Sequence, residues 1–300
     1  MIEKRWVQLY AHGAGVDLDI AEREIVLTYV LRVLSDLGLL GGLAFKGGTA
    51  IRKLYLGRTG RFSLDLDFTA TGNRAADTLI VDLVDSLHDR TYYGVSFTIA
   101  NADYWATDDS CGAEITYRHD WVQRGHFGVQ ISCRATPVLP VGERDLLREP
   151  YFEWMGVEPP SVPALDLHEV IGEKVRAAAQ RSRVRDFYDL YQLAGKPYDR
   201  TIVRRIAVIK CWETRYAFDP VAFLAGLPHG SYDWSDLSRL VRRDRLPRPD
   251  EIIKSVQGNY AFLKELTPEE ARLAADPYGR QAQVYSELVD GLKPKTAQLR

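Results

Sequence analysis

Phe45-Lys46-Gly47-Gly48-Thr49-Ala50, followed by Arg61-Phe62-Ser63-Leu64-Asp65-Leu66-Asp67-Phe68, is the stretch on which the reading of this chain turns. Asp65 and Asp67 are spaced i, i+2 in an apolar run, and strand geometry puts such a pair on one face. Two carboxylates side by side repel each other, so a fold tolerates them best with a cation between them. Hard oxygen donors suit Mg²⁺, which keeps waters and also takes substrate phosphate oxygens. Gly47 and Gly48 offer backbone N–H groups in a turn, and the helix that follows presents its positive end to phosphate. An isolated Asp-x-Asp is more plainly read as two aspartates facing solvent from a half-buried strand. The Gly-Gly-Thr element upstream tips the balance toward a metal-dependent nucleotidyl-transfer site, with Asp65 and Asp67 as the metal ligands.

The neighbours of the pair fit that chemistry. Ser63 lies one strand step before Asp65 and shares its face, as a phosphate or water contact or as a plain strand-edge hydroxyl. Lys46 and Lys53 flank the turn, and either can reach a β- or γ-phosphate as a point charge. Arg61 is a further phosphate candidate. Thr49 caps a helix expected over 50–56. Sixteen residues separate Gly48 from Asp65, a long interval for a minimal site of this kind.

The whole chain has 300 residues, 46% of them hydrophobic and 27% charged, enough to build a core in one large or two moderate domains. Its net charge of −2 excludes a generic polycation, so any nucleic-acid contact must come from local basic patches. Cys111, Cys133 and Cys211 are too few and too scattered for a disulfide framework or a cysteine zinc site. No apolar run approaches membrane-span length and no signal-peptide pattern opens the chain, so a cytoplasmic protein without a membrane is expected.

A helix is predicted over 20–40, capped by Asp19, with Ile25, Tyr29, Val33 and Leu37 on one stripe. Strands are expected over 43–46 and 64–69, a helix over 75–88, and β segments over 95–100, 113–118 and 127–133. That alternation suggests an α/β or α+β lobe. Pro159-Pro160-Ser161-Val162-Pro163 reads as a linker or domain edge, so the boundaries are set at 1–158 and 164–300. Beyond it, helices are expected from a cap at Asp166 to Arg181, over 187–193, 201–216 and 250–263, from Pro268 behind a Thr267 cap, and over 280–292. The tail at Lys293-Pro294-Lys295 is expected to fray.

Two runs carry a family resemblance. The first is 45–55 with 61–68, already quoted. The second is Glu173-Lys174-Val175-Arg176-Ala177 with Arg183-Val184-Arg185-Asp186-Phe187-Tyr188-Asp189-Leu190-Tyr191. In order and content they closely resemble the AbiEii/MenT family, the nucleotidyltransferase toxins of AbiE-type toxin–antitoxin systems, over about residues 25–195. The resemblance implies an α+β, bilobed fold: an N-terminal nucleotidyltransferase-like mixed sheet with flanking helices, and a helical C-terminal lobe, with the site in the cleft. It implies a Mg²⁺-dependent enzyme that transfers a nucleoside monophosphate from an NTP to the 3′ end of tRNA, blocking aminoacylation and translation, under restraint by a cognate antitoxin. It assigns Lys174 to neutralising the triphosphate and Asp186 to orienting that lysine or serving as a further carboxylate. A solvated helix face bearing Glu173, Lys174, Arg176 and Arg181 is the competing reading of that segment.

The resemblance implies a third metal carboxylate on a later strand, which 127–132 resembles, and there Gln130 stands instead. Gln130 can ligate weakly but cannot accept a proton, and Glu114 on the preceding segment is the substitute candidate. Asp189 is read as a cap or as the ion-pair partner of Arg185. Two basic groups suggest RNA contact or a solvated face: Arg176, Arg181, Arg183, Arg185, Arg204, Arg205 and Lys210, and then Arg239, Arg242, Arg243, Arg245 and Arg248 near Trp234. The six histidines have no metal-ligand spacing, and Trp105 reads as a core or loop aromatic. Two alternatives stay open: nucleotidylation of a protein hydroxyl at the same site, and an NTP-binding regulator without turnover.

Overall fold

The computed structural model describes residues 2–156 and 158–293, apart from the side chain of Arg243. Pro294 and Lys295 of the expected frayed tail lie outside the described residues. The chain divides into two compact units, one made of Met1–Thr136, Val141–Ala164 and Ser235–Leu246, the other of Pro137–Pro140, Leu165–Trp234 and Pro247–Arg300.

The first unit is built on a mixed sheet of nine strands: β1 (Leu43–Lys46), β2 (Leu66–Ala70), β3 (Arg90–Tyr92), β4 (Val95–Thr98), β5 (Tyr104–Ala106), β6 (Ser110–His119), β7 (Val122–Ser132), β8 (Gly142–Asp145) and β9 (Ser161–Ala164). Their order is β3-β4-β6-β7-β2-β1-β9-β8, with β5 pairing β6 from outside that path. β2 runs parallel to β7 and antiparallel to β1. Alternation along these strands sends Phe45, Leu66, Phe68, Ile115, Phe127, Val129 and Ile131 into the core. Against that face pack Ile25, Val26, Tyr29, Val30 and Val33 of the helix Leu18–Asp36, and Leu79, Ile80, Leu83 and Leu87 of the helix Ala76–Leu87.

Several expected boundaries move, each for a local reason. The first long helix starts at Leu18 behind Asp17 rather than behind Asp19, and it stops at Asp36 because Gly38 takes φ +70°. It is buried on nearly every side rather than along one stripe, and it carries Glu22 and Glu24 inside with it. No free turn intervenes after β1: a helix begins at Gly47 itself and widens into a π-helical turn over Ile51–Leu56. Thr49 is therefore inside the helix rather than its cap, and its hydroxyl donates to the Asp65 carbonyl at 2.5 Å. Within the proline stretch, Ser161–Ala164 form β9, and the division between the two units falls directly after it, between Ala164 and Leu165. Val162 and Ala164 are buried, and Ala164 stands opposite Phe45 in a parallel pair. A proline inside a strand lacks a ladder donor, which is why the pattern reads as a break.

The second unit is helical, with Leu167–Arg181, Val184–Leu193, Arg200–Glu213, Pro220–Gly226, Pro249–Asn259, Pro268–Ala274 and Ala282–Asp290. Asp166 caps the first of these through the His168 N–H, and Thr267 with Glu270 forms a reciprocal capping box. A Cβ at Gly172 would fall 2.5 Å from the Ile206 side chain, so that glycine sets the close approach of Leu167–Arg181 to Arg200–Glu213. No helix among the described residues is long and apolar enough to cross a membrane.

Candidate active site

Asp65 stands exposed one residue ahead of β2, and Asp67 is half-buried within it. The Gly128 N–H donates to Asp65 Oδ1 at 3.0 Å, tying the approach to β2 to the neighbouring strand β7. Asp67 lies opposite Lys46 on one side and Gln130 on the other.

Two glycines make room for the carboxylates. Gly47 has φ +76°, and a Cβ there would fall 2.1 Å from Asp67 Oδ2. Only glycine meets both demands at once. A Cβ at Gly128 would lie 3.2 Å from Asp65 Oδ1 and equally 3.2 Å from Glu114 Oε1. Glu114, exposed on β6 and opposite Gly128, is thus the carboxylate that the fold brings beside Asp65, while Gln130 takes its place beside Asp67. The third glycine, Gly48, sits against Arg61 and Ser63: a Cβ there would meet an Arg61 guanidinium nitrogen at 2.5 Å and Ser63 Oγ at 3.0 Å. Arg61 is 5% exposed and donates to the Phe62 carbonyl at 3.2 Å.

This donor set fits a hard divalent cation completed by phosphate oxygens and water: the donors are carboxylate oxygens, packed where the missing glycine side chains leave room for them. Among the described residues no group of three or more His, Cys, Asp or Glu is already gathered as a metal site.

Not every expected residue joins the cluster. Lys53 turns into the core, where Nζ donates to Glu24 Oε1 at 2.8 Å, the Glu24 carbonyl at 3.1 Å and Thr28 Oγ1 at 2.7 Å. Its side chain is 2% exposed, so it is an internal counter-ion rather than a phosphate contact. Burial drives the Glu24 carboxyl up, but Lys53 and Arg52 outweigh it and hold Glu24 below the usual range, so the glutamate is ionised. Arg52, unremarked in the sequence, completes the cluster through Tyr10 Oη at 3.1 Å and the Gly60 carbonyl at 2.6 Å.

Lys174 and Asp186 belong to the helical unit. Lys174 Nζ lies 2.9 Å from Asp186 Oδ1 and 2.7 Å from Asp189 Oδ2, and Arg181 Nε lies 2.9 Å from Asp186 Oδ2. Burial pushes the Asp186 carboxyl up, yet Lys174 and Arg181 together hold it well below the usual carboxylate range. Asp189, read as a cap or a partner of Arg185, is 1% exposed and pairs with Lys174. Lys174 is thus held between two acids rather than on a solvated face.

The basic groups are less available than their number suggests. Arg204 pairs with Glu270 at 2.7 Å and Lys210 with Glu169 at 2.8 Å, all four buried or nearly so. Arg239 pairs with Asp19 at 3.0 Å, and Arg242 donates to the Gly13 carbonyl at 3.1 Å; both anchor Ser235–Leu246 to the first unit.

The family model described as nucleotidyl transferase AbiEii toxin, type IV toxin–antitoxin system, matches residues 29–275. Among solved structures, the chain is similar to MenT4, a nucleotidyltransferase toxin from Mycobacterium tuberculosis H37Rv, with 24% identity and a TM-score of 0.83, covering 98% of this chain and 100% of that one. No curated relative matches the chain in sequence.

Proposed function

The chain belongs to the AbiEii nucleotidyltransferase toxin family of type IV toxin–antitoxin systems, and we propose that it transfers a nucleoside monophosphate from an NTP to the 3′ acceptor end of tRNA. The new bond joins the acceptor hydroxyl oxygen to the α-phosphorus, the bond to the β-phosphate oxygen breaks, and pyrophosphate leaves. A tRNA extended in this way cannot be aminoacylated, so translation stops in the cytoplasm where both substrates lie. A cognate antitoxin restrains the activity.

The observation that carries this reading is the pair of carboxylates Asp65 and Asp67, each set beside a glycine gap on one sheet. These two residues would hold Mg²⁺, which when bound lowers the cost of charge build-up on the triphosphate. Arg61 and Ser63 line Gly48, where a phosphate oxygen is held between the guanidinium, the hydroxyl and the start of the helix. Lys46 stands opposite Asp67 and adds a point charge. In the helical unit Asp186 fixes Lys174, a residue of the second family signature, at 2.9 Å.

Incubation of the protein with each labelled NTP, Mg²⁺ and either total tRNA or a protein extract tests the reading. Label in tRNA is the expected result. Label confined to protein would replace tRNA by a protein hydroxyl acceptor, and tight binding without incorporation would make the chain a nucleotide-binding regulator.

A further inference from the structure

Sheet register lines up five residues in one row across the strands. Trp105 on β5 is opposite Gly112 on β6, Gly112 is opposite Gln130 on β7, Gln130 is opposite Asp67 on β2, and Asp67 is opposite Lys46 on β1. Directly paired residues point to the same side of a sheet. The residues next to Asp67, Gln130 and Gly112 along their strands, among them Phe68, Ile131 and Ala113, are buried on the other side, so the row lies away from the core.

The indole of Trp105 does not extend away from this row but lies back along it. A Cβ at Gly112 would fall 3.0 Å from Trp105 Cζ2 and 3.2 Å from Cε2. Any larger residue at 112 would displace the ring. Trp105 remains 43% exposed, and no other ring among the described residues stacks on it. A large aromatic with an open surface, held in place by a glycine, is poorly explained as core or loop packing. Gly112 and Asp67 are two strand intervals apart, roughly 10 Å. That is the order of the span from a nucleobase to the phosphates of its own nucleotide. Gln130 falls between them, exposed, with an amide that both donates and accepts.

We propose that Trp105 is the stacking platform for the nucleobase of the NTP, seated over Gly112, with Gln130 hydrogen-bonding the ribose and Asp67 at the phosphate end of the same row. The proposal rests on the nucleotidyl-transfer reading only in taking the ligand to be an NTP. Every base offers a π face, so the platform by itself binds all four NTPs.

Two variants and two readouts test it. Trp105→Phe keeps a stacking ring but removes the indole; Trp105→Ala removes both. With the full chain, ATP, CTP, GTP and UTP are titrated while intrinsic tryptophan fluorescence is followed. The wild type is expected to show nucleotide-dependent quenching and Trp105→Phe to lose most of it while still binding in equilibrium dialysis. In labelled-NTP incorporation, Trp105→Ala is expected to raise the KM for NTP about tenfold with kcat within about twofold, and Trp105→Phe to restore most of the loss. Circular dichroism of each variant confirms that the fold is kept. A KM unchanged in Trp105→Ala, or quenching retained in Trp105→Phe, overturns the proposal. Quenching that depends on Trp105 in a protein that never incorporates label supports the platform while removing the transfer reading, so the two fail separately.

Discussion

Lys53 Nζ lies 2.8 Å from Glu24 Oε1, and both side chains are almost wholly shielded from water. Without Lys53, Glu24 keeps Arg52 Nε at 3.3 Å, so the cost stays below the about 3–5 kcal/mol of a buried charge left wholly unpaired. Lys53→Met should therefore lower the free energy of unfolding, measured by urea denaturation, by less than that, and adding Glu24→Gln should lower it further because Arg52 then loses its carboxylate partner. Nucleotide KM in the protein that remains folded should stay near wild type. A raised KM with unchanged stability would return Lys53 to the phosphate site.

Asp65→Ala and Asp67→Ala should each cut incorporation of label by about 100-fold or more, the scale on which electrostatic groups act at a transition state. Asp65→Ala also gives up the hydrogen bond from the Gly128 N–H, about 0.5–1.5 kcal/mol, partly offset by the relieved repulsion between neighbouring carboxylates, so melting temperature is measured beside the rate. Glu114→Ala should give a smaller loss. Wild-type rates in both aspartate variants would remove the site from this face.

Gly47→Ala must place a methyl on Asp67 at a positive φ. The backbone cost alone is about 1–3 kcal/mol, and the displaced carboxylate should abolish activity beyond what the lost stability explains. Gly142→Ala is the control, since nothing lies within 4 Å of a Cβ there. Comparing melting temperature with incorporation rate across the two variants separates the effects.

Acid should act through Asp186. Its folded-state pKa is held below the unfolded value by Lys174 and Arg181, against the opposing effect of burial. A depressed carboxyl stabilises the fold in full above its unfolded pKa, about 3.9, and the contribution is lost as pH falls from there through the folded value. The stability difference between wild type and Asp186→Asn should therefore be constant from pH 7 to about pH 5 and shrink below pH 4. Denaturation midpoints at pH 7, 5 and 3 check this; a gap that widens in acid would contradict it.

The strand–glycine–aspartate element was legible because its signals are local: a glycine pair whose first member, Gly47, takes a positive φ, and carboxylates at strand spacing. Lys53 was misread because its partner Glu24 sits in a helix whose burial on all sides does not show in a single apolar stripe. The setting of Trp105 is not legible in the sequence because it depends on the register of β5, β6 and β7, which places Gly112 and Gln130 beside it, rather than on local spacing. The prolines at 159–163 masked β9 because a missing N–H looks like a break even where alternate side chains are buried. Gly128 carried a usable signal, a glycine inside a strand pattern where another group comes close.

The sheet-bearing unit takes its final piece, Ser235–Leu246, only after Leu165–Trp234 has been made. Within that piece the Leu240 carbonyl accepts the Phe62 N–H at 2.7 Å, holding the residue between Arg61 and Ser63. During synthesis at about 5–20 residues per second, that hydrogen bond is missing for several seconds after the strands have emerged. The segment that approaches Asp65 thus waits for its clasp until residue 240 has been made.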